Sequence, residues 1–146
     1  MSLITDKVFY NAILSNQELV NKVSGRIEST AIPVPDKESA NEPVPYILIN
    51  FDGLRNEGLT KDSSYEGDTD TVTVSIEVDA ETREELADIM QMIRTTVSGY
   101  FENADEDDDD YELVPLDYTF RASSVEYDAA KPCYYQRLVY DCDTTP

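Results

Sequence analysis

Thr71-Val72-Thr73-Val74-Ser75-Ile76-Glu77-Val78-Asp79 is the stretch that decides the fold class. Val72, Val74, Ile76 and Val78 alternate with polar residues. Successive side chains of a strand point to opposite faces, so this is a strand with one buried face and one wet face. Just beyond it, Thr82-Arg83-Glu84-Glu85 has the form of a capping box. Leu86, Ile89, Met90, Ile93, Val97, Tyr100 and Phe101 then recur at three- and four-residue spacing. That is the apolar stripe of one long helix, with an acid-rich first turn that suits the helix dipole and with Gly99 weakening its far end. A one-faced strand feeding a one-striped helix predicts a helix lying on a sheet.

Working outward, residues 46–51, Tyr-Ile-Leu-Ile-Asn-Phe, are apolar on both faces and read as a buried inner strand. Residues 5–14 read as a short helix with Thr5 as N-cap and Val8, Phe9, Ala12 and Ile13 on one stripe. Ser15-Asn16-Gln17-Glu18 has capping-box form and predicts a second short helix carrying Leu19, Val20 and Val23, stopped at Ser24-Gly25. Residues 26–32 allow a short strand. Toward the C-terminus, residues 116–127 and 133–142 read as two strands joined by Asp128-Ala129-Ala130-Lys131-Pro132. The expectation is an α+β chain forming a single domain over residues 1–146. Its mostly antiparallel four- to five-stranded sheet carries one long and one or two short helices on one face. Loops are expected at about residues 33–45, which hold four prolines, at 52–70, where Asp52-Gly53 reads as a turn, and at 102–112.

Composition narrows the function. The 146 residues include 31 Asp+Glu against 11 Lys+Arg, a net charge of -20, and no His. Without His, Ser-His and Cys-His nucleophile activation and His-ligated zinc are out. The charge opposes attraction to DNA, RNA or anionic lipid, and no run of apolar residues is long enough for a membrane span. The first residues have an acid at Asp6 and do not read as a signal peptide. Cys133 and Cys142 share the last predicted strand, about 30 Å apart, whereas a disulfide needs Cα atoms within roughly 7 Å. They read as reduced, packed thiols of a cytoplasmic protein. No Gly-rich phosphate loop, G-x-S-x-G or nucleophile beside a base is present, so the sequence predicts no enzyme and no cofactor.

The most conspicuous local feature is residues 102–112. Glu102, Asp105, Glu106, Asp107, Asp108, Asp109, Asp110 and Glu112 are eight acids without a base. Asp105-x-Asp107-x-Asp109 resembles the opening of an EF-hand loop. The pattern breaks at the sixth position, where Asp110 replaces Gly, and at the twelfth, where Leu116 replaces Glu. Weak divalent association at Asp105, Asp107 and Asp109 is the most this pattern supports. The plain reading is a solvated loop. Six tyrosines cluster in the last third, at 111, 118, 127, 134, 135 and 140, with few cations between them. That pattern fits sheet packing or a subunit interface better than a base-stacking platform.

The layout resembles the tail-completion, or tail-terminator, family of long-tailed bacteriophages. Four pieces carry the resemblance. An N-terminal helix leads into Leu19-Val20-Asn21-Lys22-Val23-Ser24-Gly25-Arg26-Ile27. Pro43-Val44-Pro45-Tyr46-Ile47-Leu48-Ile49 follows a Pro-rich loop. The alternating strand runs into the long helix, and an aromatic-rich pair of strands closes the chain. Order and spacing match rather than any sharp motif, over roughly residues 9–142, and the acidic segment is a departure. The resemblance implies structural work without catalytic residues: a subunit that caps the tail tube, often as a hexameric ring, and meets the head connector. Its partners would be copies of itself, the tail tube protein and the connector protein, with no direct nucleic-acid or membrane binding. Its setting would be the virion or the host bacterial cytoplasm. On this reading Asp105, Glu106, Asp107, Asp108, Asp109 and Asp110 form a lumen or rim surface. The alternative is an acidic regulatory or inhibitory module that mimics DNA.

Overall fold

Strand, helix and sheet register follow the periodicity closely in a computed structural model that describes residues 2–29, 43–56 and 69–145. The end of the first predicted strand (30–32) and most of two predicted loops (33–42 and 57–68) lie outside the described residues. A 3₁₀ turn at Ser2–Ile4 leads into helix α1 (Asp6–Leu14) and helix α2 (Gln17–Lys22). Strands β1 (Ile27–Ser29), β2 (Tyr46–Asn56) and β3 (Asp70–Ala80) follow, then helix α3 (Arg83–Glu102). Strands β4 (Asp117–Ala122), β5 (Glu126–Asp128) and β6 (Cys133–Thr144) close the chain. The six strands form one sheet in the order β1-β2-β3-β6-β4, with β5 also pairing β6. Among the described residues only the β1–β2 pair is parallel, so the fold is α+β with a mostly antiparallel sheet.

The register explains the core. Ile47 stands opposite Val78, Ile49 opposite Ile76, and Ile76 in turn opposite Leu138. Val74 faces Tyr140 and Val72 faces Cys142. All of these are buried and share one face with the apolar stripes of α1 and α3. Leu86, Ile89, Met90, Ile93 and Val97 bury the helix along about 17 Å of sheet. Phe9 from α1 enters the same layer. Its ring lies 5.2 Å from Phe101 and 5.0 Å from Tyr140, and Tyr118 and Phe120 extend the aromatic cluster to β4. The C-terminal tyrosines at 118 and 140 thus serve packing, as the strand pattern suggests.

Several local expectations are corrected. Thr5 is already helical, and its hydroxyl donates to the Ser2 carbonyl at 2.7 Å, closing the preceding 3₁₀ turn instead of capping α1. The cap of α2 is Asn16, whose side chain accepts from the Glu18 and Leu19 amides, while Ser15 donates to the Ala12 carbonyl. Thr82 caps α3 as expected by accepting from the Glu85 amide, but the Glu85 carboxylate reaches back to the Glu81 amide. Asp52-Gly53 is not a turn. Strand β2 runs on to Asn56 through a bulge between Phe51 and Gly53, where Gly53 takes φ +156°. The predicted strand over 116–127 is broken into β4 and β5, which accounts for the sixth strand. At the break the Ser123 amide donates to the Arg137 carbonyl, while its hydroxyl accepts from the Arg137 amide.

Other cross-links tie the edges of the helical layer down. The Ser2 hydroxyl meets that of Thr144 at 2.7 Å. Ser29 donates to the buried Asp6 carboxylate at 3.4 Å, joining β1 to α1. Both cysteines are free thiols in β6, and both are buried. Phe9→Ala removes a fully buried ring with two aromatic partners and should lower unfolding free energy by about 3–5 kcal/mol. Leu3→Ala, at a residue 73% exposed, should shift it by less than about 0.5 kcal/mol. Urea denaturation of the two variants checks the contrast.

Candidate functional site

The acidic segment leaves the end of α3 as a series of tight turns. Asn103 ends the helix, its side chain donating to the Gly99 carbonyl. The Asp108 carboxylate then accepts from the Asp105 amide at 2.8 Å, and the Asp105 carboxylate accepts from the Asp107 amide at 3.3 Å. These acids organise their own backbone, as Asp does in turns. Asp105, Glu106, Asp107, Asp108 and Asp109 are exposed. Asp110 departs from the expected rim. It is buried, and its Oδ2 accepts from the Tyr100 hydroxyl at 2.7 Å and the Asn11 side chain at 3.3 Å. Burial, and then the Asp110 carboxylate, pushes the Tyr100 hydroxyl up to about 12. The run therefore has two roles: five solvated acids and one anchor holding the segment to α1 and α3. Among the described residues, no group of three or more Cys, Asp or Glu is placed to hold a metal ion.

Next to this segment lies the outer edge of the sheet. Strand β4 pairs β6 on one side, and among the described residues no strand pairs it on the other. Leu116 is 70% exposed and Phe120 is 44% exposed, with the Arg94 guanidinium 4.6 Å above the Phe120 ring. A groove of about 590 Å³ lined by Phe101, Tyr111, Val114, Pro115 and Leu116 opens between the acidic segment and this edge.

The sheet face turned away from the helices is polar and cross-linked. Thr73 donates to Asp141 Oδ1 at 2.8 Å, and Arg121 pairs with Asp141 Oδ2 at 2.7 Å. The Thr73 hydrogen bond, reinforced by Arg121, holds Asp141 below the usual carboxylate range. Arg137 donates to Glu77 at 3.2 Å. At the end of this face Asp79 is buried. Its Oδ2 accepts from the Tyr46 hydroxyl at 2.8 Å and the Cys133 thiol at 3.6 Å, while its Oδ1 has no hydrogen-bond partner among the described residues. Burial, reinforced by the neighbouring Glu77, pushes Asp79 up to about 6. Burial also pushes the Cys133 thiol up to about 11, so the sulfur remains a protonated donor. In the sequence Asp79 reads only as part of the wet face of its strand. Its partners Tyr46 and Cys133 lie 33 and 54 residues away, so no local signal marks the site.

The class defined by these features is an α+β sheet-and-helix protein with an open sheet edge and an acidic turn segment. No protein-family model matches the chain, and no curated protein matches it significantly. No described helix is long and apolar enough to cross a membrane.

Two expected outcomes follow. Asp110→Ala leaves the Tyr100 and Asn11 donors without their acceptor and should destabilise the fold by about 1–3 kcal/mol. Asp107→Ala should be neutral within about 0.5 kcal/mol in the same denaturation assay. For Asp79, the folded value near 6 lies above the ordinary 3.8, so the ionised form is the disfavoured one. The folded state loses stability as pH rises from about 4 to about 6, and the loss persists above that. The melting-temperature advantage of Asp79→Asn over the parent chain should grow across this window and level off by about pH 7. Thermal melts at matched ionic strength measure it.

Proposed function

We propose that this chain is a structural tail-completion subunit of a long-tailed phage or prophage. In this role it assembles with copies of itself into a ring, most simply a hexamer, that caps the tail tube and meets the head connector. Its work is done by surfaces, with no catalytic step. The order and spacing of the helices and strands support the reading, as does the α+β sheet they build. The observation that carries it is the open edge of β4, flanked by the exposed Leu116 and Phe120 and the groove beside them. Unpaired strand edges are natural joining sites between subunits, and apolar residues are enriched at the centres of such joints.

Charge gives the assembly its conditions. Each copy carries about -20, so copies repel until salt or divalent cations screen them. Asp105, Glu106, Asp107, Asp108 and Asp109 are the acids available for a rim or lumen wall, where negative charge keeps passing DNA from adhering. Asp110 is excluded from that wall by its burial. The subunit then resides in the virion, or in the host cytoplasm before assembly.

Sedimentation velocity across a salt and Mg²⁺ series tests this. The larger species should grow with ionic strength, and the double variant Leu116→Asp/Phe120→Asp should stay monomeric with an unchanged circular dichroism spectrum. A parent chain that is monomeric under every condition, or a double variant that assembles normally, overturns the reading.

A further inference from the structure

A second cavity, of about 350 Å³, lies at the opposite end of the sheet's polar face, at the 128–132 turn. Its wall includes Tyr46, Glu77, Asp79, Asp128, Lys131 and Tyr135. Three carboxylates, one ammonium and two phenol rings define its chemistry. The Lys131 ammonium sits 4.3 Å from the centre of the Tyr46 ring, and Glu77 accepts from Arg137. Asp128 also accepts from the Ala130 and Lys131 amides, which fixes the turn that closes the cavity.

Asp79 is the group that these contacts leave incomplete. It is only 5% exposed, and Tyr46 and Cys133 both donate to the same oxygen, Oδ2. Among the described residues Oδ1 has no hydrogen-bond donor, and its titrating neighbour is the Glu77 carboxyl. A buried carboxylate oxygen without a donor is unfavourable, so native structures nearly always supply one. A donor completes it, either a proton shared with Glu77 or a cationic group, and three carboxylates against one ammonium in the wall favour the cation. No group of three or more Cys, Asp or Glu among the described residues is placed for a metal ion. Glu77 and Asp79 are two residues apart on one strand and point to the same face. A planar fork of N–H groups can bond both carboxylates at once, and its flat face can stack on a tyrosine ring.

We infer that this cavity is a guanidinium-binding site that receives an arginine side chain presented by another polypeptide, with Asp79 and Glu77 as its acceptors and Tyr135 as a stacking wall. The site lies on different strand positions from the β4 edge and does not depend on the assembly reading. It is measured on the single chain at low salt, so the two fail separately.

Acetyl-arginine-methylamide is titrated into the ¹⁵N-labelled protein, with acetyl-citrulline-methylamide as the uncharged isostere and free L-arginine as a third arm. The expected result is saturable shift changes in the amides of residues 77–80 and 133–136, with citrulline at least about tenfold weaker. Asp79→Asn and Glu77→Gln should each weaken the blocked arginine by about tenfold while keeping the parent's spectrum elsewhere. No saturable response, an equal response to citrulline, or undiminished binding by both variants overturns the site. Tighter binding of free L-arginine than of the blocked form overturns the polypeptide source. In the case of no response, titration of the Asp79 carboxyl carbon would show a proton shared with Glu77 to be what completes Oδ1.

Discussion

Everything in this fold depends on β3 being paired on both sides. Eleven residues long, it is hydrogen-bonded to β2 along one edge and to β6 along the other. A strand flanked in this way cannot slip by one residue without sending Val72, Val74, Ile76 and Val78 to the wrong face. That register places Ile47, Ile49, Leu138 and Tyr140 beside them, and α3 and α1 settle on the apolar layer they make together. The same register sets the opposite, polar face. Asp79 comes beside Tyr46 and Tyr135, and Thr73 comes beside Asp141.

The parts legible in the sequence were those with a strong period or a local cap. The alternation of β3 and the stripe of α3 each bury enough apolar surface to dictate their partners, and Thr82 marks the helix start by bonding three residues on. The tail of β2 was not legible. Asp52, Gly53, Arg55 and Asn56 have the composition of a loop, and their strand geometry comes from pairing with β3 across a bulge. Thr5 and Ser15 read as caps in the sequence, but each hydroxyl donates to the carbonyl three residues before it instead of accepting from the helix start. Asp110 could not be told from the five acids before it, since only the tertiary approach of Tyr100 and Asn11 makes it an anchor.

Charge takes a similar division. A net of -20 reads as one property in the composition but resolves into different environments in the structure. Asp105 and Asp108 shape a turn, and Asp110 holds it to the helices. Asp141 is held low by hydroxyl and guanidinium donors, while Asp79 is raised by burial beside Glu77. Opposite shifts on one polar sheet face arise because Asp79 is buried beside a second carboxylate, whereas Asp141 accepts from the Thr73 hydroxyl and the Arg121 guanidinium.

The break between β4 and β5 has a consequence for how far strand pairing can spread. A continuous edge from residue 117 to residue 128 would template an added strand along its whole length, the geometry that grows into fibrils. Here Ser123 turns its amide and hydroxyl inward to Arg137, and its carbonyl accepts from the Gln136 side chain. An incoming strand finds six residues of β4 and then a gap. Pairing of that length is short enough to need support from side chains such as Phe120. The edge therefore accepts a partner with a matching surface and gives an arbitrary strand little purchase.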